Sequence, residues 1–138
     1  MPITPNSFVE PKISRMFVFR NATDKAPTAE LVICSGIATF TFSTPVRDEV
    51  RFAIPNLTVA EGAVLETTTM VSMSELETIS NPPVAFQSVD WVIESAQSVQ
   101  DRTQVVVDVN LAIGALPPQN FVLIKGVAYH VTILLRKD

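Results

Sequence analysis

RTQVVVDVNLAI, residues 102–113, decides how this chain folds. In an extended backbone Thr103, Val105, Val107, Val109, Leu111 and Ile113 fall on one side, while Arg102, Gln104, Val106, Asp108 and Asn110 fall on the other. Alternation with a period of two marks a β-strand that presents one face to a core and the other to water. The β-branched valines, stiff at χ1, suit the pleated surface better than a helix.

The same period recurs on both sides of this stretch. Downstream, in VAYHVTILL (127–135), Val127, Tyr129, Val131, Ile133 and Leu135 share a face, which leaves His130 with Ala128, Thr132 and Leu134 on the other. Upstream, AFQSVDWVIES (85–95) sets Val89, Trp91 and Ile93 in phase, and places Trp91 in the core. VRDEVRFAI (46–54), AVLETTTMVS (63–72), AELVICSGIATFTF (29–42) and ISRMFVFR (13–20) complete the set, with Gly36 predicting a bulge or a break within 29–42. The polar AQSVQD (96–101) reads as an interruption between strands, and Gly114 with Pro117 and Pro118 as the last long turn.

One segment reads as helix. In SMSELETIS (72–80) Ser72 and Glu75 have capping-box spacing, and Met73, Leu76 and Ile79 recur every third residue. The expected fold is therefore all-β: an antiparallel sandwich of jelly-roll or Greek-key type with about seven or eight strands, and at most one short helix near residues 72–80. Residues 1–12 hold Pro2, Pro5 and Pro11 and form an extended or flexible arm, leaving 13–138 as a single sandwich domain. SGIATFTFSTPV (35–46) resembles the first strands of sandwich domains in phage tail fibres and invertebrate lectins, but the likeness carries no binding residue across.

Composition narrows the role. The chain has 138 residues, 47% of them apolar and only 17% charged, so either burial is unusually extensive or some apolar surface meets another copy or a partner. A net charge of −4 with scattered Lys and Arg argues against nucleic acid. The apolar runs are too short for membrane insertion, and MPITPNSFVEPK does not read as a signal peptide, so cytoplasmic synthesis is expected, with a virion component equally compatible.

No constellation of catalytic, cofactor-binding or metal-ligating residues emerges. The only His, His130, and the only Cys, Cys34, supply neither a zinc set nor an elbow-borne nucleophile, and a Cys34–His130 dyad is disfavoured by the apolar run around Cys34. Asp48 with Glu49, Glu75 with Glu77, and Asp90 with Glu94 are acidic pairs without an EF-hand frame. The spacing of Asp90 and Glu94 along a strand, roughly 13 Å, exceeds what paired glycosidase carboxylates need. The four glycines form no phosphate loop.

The expected role is that of a non-enzymatic, self-assembling structural or adhesive module of a larger assembly such as a virion, phage tail or surface appendage. The partner is then another copy of the chain, with a trimer favoured by analogy with viral and phage sandwiches. The alternative is a lectin-like sandwich that binds a glycan or small ligand, or a protein partner, through loops 21–28, 72–84 and 114–120.

Overall fold

The computed structural model describes residues 3–21, 23, 25–43, 46–79, 88–116 and 121–137. They form seven strands: β1 (Ser7–Val18), β2 (Ala29–Ser43), β3 (Val46–Ala53), β4 (Val64–Ile79), β5 (Ser88–Asp101), β6 (Gln104–Leu116) and β7 (Phe121–Arg136). One antiparallel sheet has the order β1-β2-β7-β4 and the other β3-β6-β5. Because β2 pairs with β7 and β3 with β6 while β4 runs beside β5, the chain is a long doubled ribbon rolled up until β4 also meets β7. That winding is the jelly-roll type anticipated from the strand pattern. No helix among the described residues is long and apolar enough to cross a membrane.

The core lies between the sheets and is built from the phases read above. Val105, Val107, Val109 and Leu111 of β6 face Val127, Tyr129, Val131 and Ile133 of β7, all at most 2% exposed. Phe52 of β3 joins the layers, its ring 5.6 Å from that of Phe8 on β1 and 5.2 Å from that of Tyr129. Trp91 stands opposite Ile113 in the β5–β6 register, but its side chain lies outside the described residues.

Several expectations change. Residues 72–79 are strand, not helix: β4 continues to Ile79, with Met73 opposite Val127, Leu76 opposite Ile124 and Ile79 opposite Phe121. Its ladder shifts between Met73 and Glu75, where β4 holds the extra residue, and between Glu75 and Leu76, where β7 holds it; the first turns a spacing of two into the spacing of three from Met73 to Leu76, while Leu76 to Ile79 runs without a shift. Residues 96–101 are also strand, since the ladder shifts between Ile93 and Ser95 and then runs unbroken to Asp101. Gly36 does not break β2, whose ladder with β7 passes through it to Thr39, but the expected bulge is there on the other side: the β1–β2 ladder shifts from Val9–Ile37 to Lys12–Ser35 opposite Gly36, with the extra residue in β1. A Cβ at Gly36 would lie 2.6 Å from the Tyr129 hydroxyl, so glycine is required there by the ring across the ladder.

The segment assigned to an arm already contributes to the fold. Ile3 forms a parallel bridge with Val50, donating to Glu49 O at 2.7 Å and accepting from Arg51 N at 3.1 Å. Asn6 N donates to Thr39 O at 2.8 Å, and the β1 ladder begins at Ser7, with a register shift between Val9 and Lys12 around Pro11. The chain thus links the outer edge of β3 in one sheet to β1 in the other. On the opposite side the sheets are joined by side chains: Thr67 Oγ1 donates to Ser98 O at 2.9 Å, and Thr69 Oγ1 lies 2.6 Å from Ser98 Oγ.

Candidate functional site

His130 projects from the outer face of the four-stranded sheet, where the register sets it between Ser35 of β2 and Met70 of β4. A groove of about 200 Å³ runs beside it, lined by Met70, Val71, Ser72, Ala128, Tyr129 and His130. The lining contains an imidazole and a serine hydroxyl but no carboxylate to orient the ring, so the groove lacks the third member of a nucleophilic triad. Cys34 belongs to the other face. It pairs with Val131 and is fully buried, so the sheet itself separates the thiol from the imidazole. Burial pushes the Cys34 thiol up to about 11, opposed only in part by Arg15, and holds it protonated at neutral pH. Burial, with a smaller contribution from Cys34, also pushes the Tyr129 phenol up to about 12.

The acidic pairs do not assemble. Glu94 sits at the register shift of β5 and breaks the phase that would have aligned it with Asp90, whose side chain lies outside the described residues together with those of Asp48, Glu75 and Glu77. Among the described residues no group of three or more His, Cys, Asp or Glu is placed to hold a metal ion. Of the loops proposed for ligand binding, 72–79 and 114–116 belong to strands, and 80–84 and 117–120 lie outside the described residues. In 21–28, Asn21 Oδ1 accepts from both Thr23 N at 3.0 Å and Thr23 Oγ1 at 2.6 Å, a local turn rather than a ligand cradle.

Sequence reasoning passed over a buried charge. Glu30, 2% exposed, accepts a hydrogen bond from Arg15 Nη1 on β1 and an ion pair from Lys137 Nζ at 3.3 Å. Lys137 also lies 5.6 Å from the centroid of the Phe17 ring, and its backbone N donates to Thr28 O at 3.1 Å. This cluster binds β1, the start of β2 and the end of β7 together at one corner of the sandwich. The signal was present in the sequence, since Glu30 is in phase with the inward-facing Val32 and Cys34, where a carboxylate must find cations.

The largest anomaly is on the surface. Six of the ten large apolar side chains that are exposed among the described residues, Phe8, Val9, Met16, Phe17, Val18 and Phe19, lie on or just past β1. Ile13, Arg15 and Phe17 are in phase with the inner face of the sheet and Met16 and Val18 with the outer, so β1 exposes apolar groups on both sides. In the described structure its ladder hydrogen bonds run to β2 alone, which makes it a sheet edge.

Comparison with protein-family models, curated proteins and solved structures finds no match for this chain. Fold and surface together define a seven-stranded antiparallel β-sandwich with an apolar edge strand.

Proposed function

We propose that this chain is a non-enzymatic β-sandwich that assembles with copies of itself, serving as a structural or adhesive module of a larger body such as a virion, tail or surface appendage. The observation that carries the reading is β1, where Met16 and Phe17, on opposite faces, are each 55% exposed. Apolar surface gathered on one strand is what association conceals, whereas isolated exposed apolar residues elsewhere need no explanation. The low charge content supports the same reading, because few ionic groups stand in the way of close approach.

Light scattering on the purified chain at micromolar concentration tests it. The expected mass is a multiple of 15.1 kDa. A monomer would overturn the reading and turn attention to the lectin-like alternative, for which a glycan array is the direct assay.

A further inference from the structure

We infer that the assembly surface is the free edge of β1, and that its occupant is β1 of a second copy, laid antiparallel so that the four-stranded sheet continues across a two-fold axis. The inference rests on the self-assembling reading above and specifies its contact.

Three features lead to it. First, β1 offers the backbone chemistry, since an edge strand carries a row of N–H and C=O groups directed away from its own sheet, ready to pair with another strand. Second, the apolar side chains stand on both faces of β1: Phe17 on the inner side, Met16 and Val18 on the outer. A surface docked on one face would cover one set. A strand alongside covers both, because its own side chains alternate in the same way. Third, the charges identify the second strand. Glu10 lies towards one end of the segment and Arg20 just beyond the other, while Arg15, near the middle, is turned towards Glu30. Antiparallel apposition about an axis near Arg15 brings each Glu10 towards the Arg20 of the other copy, whereas parallel apposition would set like charge beside like.

The strand is only half defended against such pairing. Pro11 and Lys12, the residue types that usually blunt an exposed edge, sit in its first half, and residues 13–19 contain neither proline nor lysine, their one charge, Arg15, being paired with Glu30. A two-fold edge contact is isologous and closes on itself, giving a dimer or an assembly of dimers, where analogy alone favoured a trimer.

The test uses the whole chain, with Met16→Asp, Glu10→Arg, Arg20→Glu and the Glu10→Arg/Arg20→Glu double variant, each followed by light scattering across a dilution series and by thermal melting monitored by circular dichroism. Even-numbered mass for the parent chain, at least a ten-fold weaker association for Met16→Asp with an unchanged melt of the dissociated chain, weaker association for each single reversal at low salt, and recovery in the double variant are expected. A trimeric mass, an assembly indifferent to Met16→Asp, or single reversals whose defects add without recovery would overturn the edge contact while leaving self-assembly standing. A monomeric parent chain would overturn both. If Met16→Asp fails to fold, the reversal cycle decides alone, since Glu10 and Arg20 are exposed.

Discussion

β7 and β1 belong to the same sheet, yet their apolar residues have different fates. β7 has neighbours on both edges, and Val127, Tyr129, Val131, Ile133 and Leu135 each retain 4% exposure or less. β1 has β2 alone, and only Pro11 and Ile13 along it reach even partial burial. Hydrophobic content alone does not report burial. In β7 one parity is apolar and inward, and the core accounts for it, whereas in β1 both parities are apolar and the core accounts for Ile13 and the contact of Phe8 with Phe52. What remains on β1 is not covered by any of the described residues, and the proposed contact with a second copy would cover it.

A pair of truncations should separate the two strands most sharply. Ile133→Ala, at a fully buried site, is expected to lower unfolding free energy by about 2–5 kcal/mol, through lost transfer energy and the cavity left behind. Met16→Ala in the dissociated chain should change it by no more than about 0.5 kcal/mol, as exposed sites do. Urea unfolding of both variants at concentrations where the chain is dissociated measures the contrast, and comparable losses would erase the distinction between the strands.

Next in size is Gly36→Ala, which sets a methyl group against the Tyr129 ring. Overpacking of this kind typically costs about 1–3 kcal/mol. Tyr129 is 2% exposed and its ring lies 5.2 Å from that of Phe52, so it has little room to retreat. Gly36→Ala combined with Tyr129→Phe, which removes the hydroxyl the methyl group would strike, should recover part of the loss. Absence of recovery would mean that the close approach is not what requires glycine.

The smallest effect is alkaline. The folded state raises the Cys34 thiol from an ordinary 9.0 to about 11, so the folded chain holds its proton where the unfolded chain releases it. Stability from this group is full below about pH 9 and falls as pH rises towards 11, by about 1 kcal/mol at pH 10. Tyr129, raised from 10.0 to about 12, extends the decline upward. Denaturant midpoints at pH 8 and pH 10 should separate, and by less in Cys34→Ala. An unaltered separation would assign the decline to other groups.

How much of this was legible follows from the strands themselves. β7 and the centre of β6 could be read by parity, because uninterrupted alternation maps sequence parity onto face, but Thr103, expected inward, is exposed in the turn before β6, and Val106, expected outward, is buried at 7% exposure. Where a ladder slips by one residue the mapping fails: the slip at Ser74 accounts for the Met73–Leu76 spacing in the stretch read as helix, though Leu76 to Ile79 runs without one. Residues 96–101 read as a break for another reason, their polar composition, since polar Ser98 takes an inward position and is satisfied by Thr69 of β4. Parity says nothing about which strands become neighbours, so the exposure of β1 was invisible, as was the bridge from Ile3 to Val50 inside a proline-bearing segment. The edge that carries the proposed contact is a property of strand order, not of strand composition.

The pairing of β2 with β7 has a consequence for how the chain is made. Ala29 lies opposite Arg136 and Thr39 opposite Gly126, so this ladder joins segments near opposite ends of the described chain. Such long-range pairing forms slowly, because loop-closure entropy is lost before the contacts repay it. β5 and β6, separated only by Arg102 and Thr103, can zip as soon as both leave the ribosome. β7 is translated after the other six described strands, and it occupies the slot between β2 and β4. Until it arrives, a nascent chain holds two unfilled strand edges facing an empty lane, and translation that stalls short of Phe121 leaves that lane open to a strand from a neighbouring polypeptide.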